Sequence, residues 1–332
     1  MSHLLEIKNL TTAFSGDYGT VTPVDHIEFH VDENETVCIV GESGCGKSVT
    51  SLSIMGLLGR GGAVVDGSVL FDNKELSGMT EKELDAIRGK DMTMIFQDPL
   101  SSLNPVFTIG WQIVESIRAH MDLDRVQAKA RAIELLKHVG IPSAEQVMKK
   151  FPHMLSGGMR QRVMIAMALA CNPKLLIADE PTTALDVTIQ AQIMKLMKNL
   201  QKETGMAVIL ITHDIGLVAQ MADRVLVMYA GQIVESANVL ELFQKPVHPY
   251  TRALLKTVPS IYDDESRKLS AIPGMVPERY DEIEGCRFAP RCPYCSEECR
   301  NIQADYTFDD GHTAKCVIMK QRYDLGEMNY DE

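Results

Sequence analysis

The sequence predicts an α/β fold in which helices cover a mostly parallel sheet. Short apolar runs rich in β-branched residues occur at residues 36–40, 174–178 and 207–211, and each run ends at glycine or polar residues. Amphipathic stretches with helical spacing separate these runs, as expected of strands that feed helices. Because open α/β sheets bind ligands at the carboxyl ends of their strands, the residues after each run are candidates for a functional site.

The composition fits a globular protein of about two domains, at roughly 100 to 200 residues per domain. The chain has 332 residues, and its 33 basic and 45 acidic side chains give a net charge of −12. This charge disfavours a protein that tracks nucleic acid through phosphate contacts. The apolar runs are shorter than the roughly 20 residues of a transmembrane helix, and Glu6 and Lys8 interrupt the position of a signal peptide's apolar region. We therefore expect the chain to stay in the cytosol.

A glycine-rich loop follows the first predicted strand. Residues 41–48, Gly-Glu-Ser-Gly-Cys-Gly-Lys-Ser, fit the pattern G-x-x-x-x-G-K-S/T between a strand and an apolar helical run. In such a loop the backbone N–H groups face phosphates, the lysine reaches the β- and γ-phosphates, and the last hydroxyl ligates Mg²⁺. An ordinary glycine turn with a chance lysine is the alternative, which this context disfavours. The predicted phosphate-binding residues are Gly41, Ser43, Gly44, Gly46, Lys47 and Ser48.

Two adjacent carboxylates, Asp179 and Glu180, directly follow the second predicted strand. In a chain that also holds a phosphate-binding loop, Asp179 is predicted to hold Mg²⁺. Glu180 is predicted to polarise a water toward the γ-phosphate. Taken alone, such an acidic pair is more often a helix cap or a solvated strand edge.

A helical region and a hairpin complete the predicted α/β domain. Apolar residues recur at helical spacing from about Gly110 to Phe151, so we expect a helical subdomain over about residues 100–165. Two apolar runs around residues 230–231 predict a β-hairpin over residues 225–234.

Residues 155–162, Leu-Ser-Gly-Gly-Met-Arg-Gln-Arg, begin another apolar helical run. A serine and two glycines at a helix start offer N–H donors to an anion, although a serine N-cap is common without one. The octet lies between the glycine-rich phosphate-binding loop of residues 41–48, called the P-loop, and the strand that precedes Asp179 and Glu180. In this position it resembles the signature motif of the ATP-binding-cassette (ABC) ATPases. The resemblance implies a P-loop nucleotide-binding domain of the ABC type that binds ATP and Mg²⁺ and hydrolyses ATP. It also implies that Ser156 and Gly158 close over ATP held by a second subunit.

Other positions match the cassette family one by one. Gln97 resembles the glutamine-loop residue that senses Mg²⁺ and the attacking water, and Asp186 lies in the loop that crosses between two cassettes. His213 resembles the switch histidine that contacts the γ-phosphate. Tyr18 lies where the family places an aromatic residue on adenine, with Phe14 as the alternative. The implied catalytic residues are Lys47, Gln97, Glu180 and His213, and the implied Mg²⁺ ligands are Ser48, Gln97 and Asp179.

Further segments resemble the importer ATPases for oligopeptides and dipeptides: residues 96–105, 182–187, 248–255 and 285–292. The implied function is that of the ATP-hydrolysing subunit that powers peptide uptake, peripheral on the cytoplasmic face of the inner membrane. The implied partners are two transmembrane permease subunits, a second, paralogous ATPase subunit and an extracytoplasmic solute-binding protein. Nucleic acid is not among them.

Three other functions fit parts of the pattern. The same ATPase role in an importer of nickel or another small solute is the nearest alternative, because no residue of a cassette reports the cargo. A soluble ABC ATPase of DNA repair or translation would usually carry two cassettes, a coiled coil or basic patches, which this sequence lacks. A regulatory ATP sensor without turnover would not require both Glu180 and His213.

Past about Leu255 the sequence changes character. It predicts a C-terminal extension, residues 256–332, beside an ABC ATPase domain of residues 1–255. Prolines lie close together, periodicity fades, and residues 259–332 carry 16 acidic against 9 basic side chains. We expect this small Cys-rich extension to be irregular and to pack little core.

Five cysteines crowd into 31 residues of the extension: Cys286, Cys292, Cys295, Cys299 and Cys316. In a reducing compartment such density suggests metal, either tetrahedral Zn²⁺ or an iron–sulfur cluster, with one thiol to spare. Free surface thiols are the alternative. The resemblance favours a structural four-iron (4Fe-4S) cluster on Cys286, Cys292, Cys299 and Cys316 and leaves Cys295 out.

Overall fold

The computed structural model describes residues 3–16, 19–98, 102–183, 185–258, 272–277, 279–301, 303–309 and 311–330. Within these ranges the strands are β1 (Leu5–Gly16), β2 (Gly19–Val31), β3 (Thr36–Val40), β4 (Gly62–Phe71), β5 (Lys74–Glu75), β6 (Met92–Ile95), β7 (Leu175–Asp179), β8 (Ala207–Thr212), β9 (Arg224–Tyr229), β10 (Gln232–Asn238), β11 (Tyr306–Thr307) and β12 (Thr313–Ala314).

The α-helices of the same ranges are α1 (Lys47–Met55), α2 (Glu81–Asp85), α3 (Ile109–His120), α4 (Arg125–His138), α5 (Ala144–Val147), α6 (Gly157–Ala168), α7 (Val187–Thr204), α8 (Ile215–Met221), α9 (Val239–Gln244), α10 (Pro249–Lys256) and α11 (Val317–Asp324). Each helix in the described part of the chain is too short or too polar to span a bilayer.

The chain divides into two compact units. The first comprises Met1–Leu4, Val31–Glu35 and Gly78–Ile211, and the second comprises Leu5–His30, Thr36–Ser77 and Thr212–Glu332. Each unit is a mixture of strands and helices.

In the first unit, β6, β7 and β8 form parallel ladders in that order. Strand β7 is buried along its whole length, as expected of a central parallel strand covered on both faces. The helices α3 and α4 pack through residues that are fully buried, such as Ile113, Ile117, Ala132 and Leu136. Asp124 caps α4 by accepting hydrogen bonds from the N–H groups of residues 126 and 127, both at 2.8 Å. These helices form the predicted helical region.

The second unit contains a four-stranded sheet in the order β2, β1, β4, β5. It also contains a ladder in which β3 runs parallel to β9, while β10 pairs antiparallel with β9 and with β12. The hairpin of β9 and β10 agrees with the expectation for residues 225–234, with Ala230 and Gly231 both at positive φ in the turn.

The C-terminal extension is more ordered than expected where the structure describes it. Its short strands β11 and β12 pair with each other, and β12 continues the sheet through β10. Phe308, Ala314, Cys316 and Met319 are buried together with Val247. Aromatic side chains supply much of this packing, so a segment without clear apolar periodicity still builds a core.

Candidate nucleotide site

The loop between β3 and α1 is shaped by glycines that no other residue would replace easily. Gly46 has φ of +104°, and a Cβ there would lie 2.2 Å from the carbonyl oxygen of Pro23. A Cβ on Gly41 would lie 2.1 Å from the carbonyl oxygen of Met228. Gly44, with φ of +81°, faces open space instead. The backbone is therefore held tightly at both ends of the loop and is open in the middle, as a phosphate-binding nest requires.

Lys47 begins helix α1 and is buried, with 6% of its surface exposed. Its Nζ donates hydrogen bonds to the carbonyl oxygens of Gly41 at 2.8 Å and Glu42 at 2.9 Å. Ser48 is half-buried beside it, whereas Ser43 is exposed on the loop. An ammonium group, a helix N-terminus and a glycine nest at one place form an arrangement that binds a phosphate chain.

The predicted residues Gln97 and Glu180 meet in the first unit, although 83 residues separate them. Gln97 Nε2 donates to Glu180 Oε2 at 3.0 Å, and Thr183 Oγ1 donates to the same oxygen at 2.9 Å. The backbone of Glu180 has φ of +45°, a left-handed conformation that is uncommon outside glycine, and its N–H donates to Ile211 O at 2.9 Å. Strained backbone of this kind is often found where a side chain must be aimed at a reaction.

Asp179 is the last residue of β7 and is buried, with 4% of its surface exposed. Asp186 is exposed and caps α7, since its carboxylate accepts from the N–H of Ile189 at 2.9 Å. A buried carboxylate at a strand end offers the hard oxygen donors that Mg²⁺ prefers, so Asp179 is chemically suited to such an ion.

Ser156 and Gly158 lie at the start of helix α6. Ser156 is exposed and accepts from the N–H of Met159 at 3.4 Å, so it is an N-cap as well as a candidate ligand. A Cβ on Gly158 would lie 2.9 Å from Cγ2 of Ile189, which shows that α6 and α7 approach closely here.

The structure gives fewer contacts for the remaining predicted residues, His213, Tyr18 and Phe14. His213 is exposed directly after β8, and Asp214 caps α8 through the N–H groups of Gly216 and Leu217. Tyr18 lies outside the described residues. Its alternative, Phe14, is half-buried in β1 and packs against Gly62.

Sequence reasoning missed the hydroxyl of Thr183 as a partner of Glu180. Thr183 lies in residues 182–187, one of the segments that resemble the peptide-importer ATPases, but no role was predicted for it. Its spacing of three residues from a glutamate after a strand was a usable signal, because a turn brings such residues together.

The predicted cysteine ligands line one small cavity in the second unit, of about 10 Å³. Such a space holds roughly one water molecule, which is far less than a four-iron cluster needs. Among the described residues of the extension, no three cysteine, histidine or carboxylate ligand atoms lie within 4.8 Å of one another. Burial raises the pKa of Cys292 to about 12 and that of Cys316 to about 11. Cys299 and Cys316 are buried and Cys286 and Cys292 are half-buried, so the raised pKa values describe neutral thiols.

Family models match two parts of the chain. The model described as "ABC transporter" matches residues 24–183, and the model described as "Oligopeptide/dipeptide transporter, C-terminal region" matches residues 234–299. A model of an AAA domain, described as a putative AbiEii toxin of a type IV toxin–antitoxin system, matches residues 148–219.

Curated relatives are similar along nearly the whole chain. The oligopeptide transport ATP-binding protein AppD of Bacillus subtilis is 53% identical over 97% of this chain and 98% of the relative. The dipeptide transport ATP-binding protein DppD of Haemophilus influenzae is 50% identical over 94% of each chain. DppD of Escherichia coli is 49% identical over 94% of this chain and 96% of the relative.

Solved structures share the cassette fold. The dimeric ATP-binding cassette MJ0796 in a post-hydrolysis state, bound to ADP and Pi, is 29% identical, with a TM-score of 0.64 over 71% of this chain and 98% of that chain. CbiO1 from Clostridium perfringens, part of the ABC transporter complex cbiONQ, is 31% identical, with a TM-score of 0.62 over 74% of this chain and 92% of that chain.

These findings correct one expectation and establish another. The relatives are described as ATP-binding transport proteins and none as an iron–sulfur protein. Together with the geometry of the thiols, this makes the predicted four-iron cluster on Cys286, Cys292, Cys299 and Cys316 wrong. The sequence identity along nearly the whole chain and the match to the cassette model agree with the function that the P-loop, Gln97 and Glu180 indicate. The chain belongs to the ABC transporter ATPase family, with the C-terminal region typical of its oligopeptide and dipeptide branch.

Proposed function

We propose that this chain is the ATP-hydrolysing subunit of an importer that takes up dipeptides or oligopeptides through separate transmembrane permeases. The observation that carries the proposal is the identity of about half of all residues to peptide-transport ATPases, which extends through the C-terminal region. The P-loop geometry and the contact between Gln97 and Glu180 support the ATPase part independently.

The P-loop binds the phosphates of ATP in this proposal. Its backbone N–H groups, with Ser43 on the open side, surround the phosphate chain, and Lys47 contributes its positive charge. Ser48, Gln97 and Asp179 offer oxygen ligands that would hold Mg²⁺. When bound, the ion offsets the negative charge that develops on the phosphates.

Glu180 is the proposed general base. Its carboxylate orients the attacking water, while Gln97 and Thr183 fix its position by hydrogen bonds to one oxygen. His213 contacts the γ-phosphate, and Tyr18, with Phe14 as the alternative, stacks on adenine.

Two ATPase subunits share each site in this proposal. Ser156 and Gly158 at the start of α6 close over ATP held by the opposite subunit, and Asp186 lies in the loop that crosses between the two. The second subunit is a paralogous ATPase. If a homodimer forms, a mixture of Ser156→Arg and Lys47→Ala chains should regain at most one working site, whereas a fully active isolated monomer would contradict the model.

The proposed assembly contains two permease subunits and an extracytoplasmic solute-binding protein. The chain itself is peripheral on the cytoplasmic face of the membrane. Residues 1–255 form its ATPase domain in this proposal, and residues 256–332 form the extension characteristic of the peptide branch.

Uptake in cells tests the substrate. Deleting the gene should abolish uptake of a labelled dipeptide or oligopeptide, and a plasmid copy should restore it while a Lys47→Ala copy should not. Loss of nickel uptake with normal peptide uptake would favour the alternative of a nickel importer.

A further inference from the structure

The P-loop contains a carboxylate next to the place where phosphates bind. Glu42 is the second residue of the loop, and its side chain is 28% exposed. A negative charge this close to an anionic ligand weakens binding unless it is neutralised. The position therefore raises the question of what balances the charge of Glu42.

Arg291 of the C-terminal extension forms a two-pronged ion pair with this carboxylate. Its Nη1 lies 2.7 Å from Glu42 Oε2, and its Nη2 lies 3.1 Å from Oε1. Only 5% of the arginine side chain is exposed. Parallel N–H bonds of this kind fix direction as well as charge, which a lysine would not do.

The rest of the guanidinium is bonded to the extension and to β9. It donates to the carbonyl oxygen of Pro273 at 2.7 Å and to the hydroxyl of Tyr229 at 3.4 Å. It also lies over the rings of Tyr229 and Phe288, at 5.7 and 6.0 Å. Arg291 thus has a fixed orientation before any ligand arrives.

A second contact holds the backbone of the same residue. The N–H of Glu42 donates to the hydroxyl of Tyr250 in α10 at 2.9 Å. Tyr250 is fully buried, and its ring packs against Tyr229 at 4.7 Å and Phe288 at 5.4 Å. The aromatic group of Tyr229, Tyr250 and Phe288 therefore connects the extension to the P-loop.

We propose that Arg291 and Tyr250 are positioning residues of the ATP site: Arg291 neutralises Glu42, and Tyr250 fixes the backbone of the loop. Through Arg291, the C-terminal extension sets the affinity of the P-loop for nucleotide. The proposal rests on the phosphate-binding role proposed above for this loop. Neither residue contacts the reacting atoms, so their effect is on binding and not on the chemical step.

Binding of ATP to the full-length chain, measured by calorimetry with Mg²⁺ present, tests the role of Arg291. Replacing it (Arg291→Gln) leaves Glu42 unpaired and should raise the Kd for ATP roughly tenfold, as a few weakened charge interactions near the surface imply. The effect should be smaller for ADP, which carries less charge. In the assembled transporter, KM for ATP should rise while kcat stays within about twofold.

A charge rescue separates this role from simple structural support. The double variant Glu42→Gln with Arg291→Gln removes both charges and should return the Kd to within about threefold of the wild type. Arg322→Gln is the matched control, because that arginine lies over Tyr294 in the same extension and should leave the Kd unchanged. Tyr250→Phe removes the acceptor of the loop N–H and should raise the Kd by about threefold.

Each result decides the proposal. An unchanged Kd in Arg291→Gln, or a double variant no better than the single one, would overturn it. If Arg291→Gln does not fold, Arg291→Met replaces it, because this neutral side chain can still pack on Tyr229 and Phe288, and a Kd equal to wild type there would also overturn the proposal. If the wild-type chain binds no ATP, or Lys47→Ala binds equally well, then the P-loop assignment itself fails, which is a separate outcome.

Discussion

The P-loop and the C-terminal extension obtain their structures in different ways. The loop is fixed by its own backbone, because Gly41 and Gly46 lie where any side chain would collide with neighbouring carbonyl groups. The extension is fixed by side chains that reach distant residues, such as His312, whose Nε2 lies 2.8 Å from Glu235 Oε1. A local motif is therefore enough to predict the first region, whereas the second depends on contacts across long stretches of chain.

This difference also explains the error about the cysteines. Their spacing is compatible with ligands, and the fold brings the four predicted ligands to one cavity, but spacing along the chain does not predict the volume between the thiols. A cluster needs space among its ligands, and the cavity that these thiols line is only about 10 Å³, room for roughly one water molecule.

The largest effect should come from a side chain placed in the P-loop. Gly46→Ala would force a Cβ to within 2.2 Å of Pro23 O at a positive φ, so we expect a loss of roughly 3 to 5 kcal/mol in the free energy of unfolding. Gly44→Ala, which meets no atom within 4 Å, should cost only about 1 kcal/mol. Denaturant unfolding measures the free energy of unfolding of both variants. Equal losses would contradict the claim that crowding by neighbouring backbone requires glycine at residue 46.

The next effect concerns the carboxylate that anchors the extension. Glu235 is buried and also accepts from the N–H groups of Val247 and His248, each at 2.7 Å. Glu235→Ala leaves these donors and His312 without their acceptor and should cost about 2 to 4 kcal/mol. Exposed Glu297 in the same extension provides the control, Glu297→Ala. A loss below about 0.5 kcal/mol for Glu235→Ala, the range of surface substitutions, would contradict the anchoring role.

An effect of comparable size, which depends on pH, should come from His248. Burial lowers its pKa to about 4, partly offset by the charge of Glu235. Because the unfolded histidine binds a proton near pH 6.5 and the folded one does not, stability is lost as pH falls from about 6.5 to 4. The loss should be roughly 3 kcal/mol.

His248→Asn isolates this titration from the helix cap. The side chain of His248 caps α10 by accepting from the N–H of Tyr250 at 3.1 Å, and asparagine supplies an acceptor in the same place without titrating. The free energy of unfolding should therefore change less between pH 4 and 7 for the variant than for the wild type. Identical pH slopes for the two proteins would show that His248 is not the group responsible.

Much of the fold was predictable because its signals are local. The apolar runs at residues 36–40 and 207–211 became β3 and β8 with boundaries within one residue. The two-residue strands β11 and β12 were missed because so short a segment has no periodicity. The residues of β10 that pair with β12 lie 77 and 79 positions earlier in the chain.

The site was predictable in part for the same reason. The P-loop residues form one contiguous motif. The roles of Gln97 and Glu180 were predicted separately, and the hydrogen bond between them was not. The contacts of Glu42 with Arg291 and Tyr250 cross 249 and 208 residues. Each of these residues is unremarkable in its own segment, so pairing them required the folded chain.

The most direct test of the account is ATP turnover by a Glu180→Gln chain in the assembled transporter. The substitution keeps the hydrogen-bonding shape of the side chain but removes the proposed base, so ATP should still bind while hydrolysis falls by about 10² to 10⁴-fold. Glu203→Gln, at an exposed glutamate that pairs with His138, should hydrolyse ATP like the wild type. Turnover at the wild-type rate in Glu180→Gln would contradict the proposed mechanism.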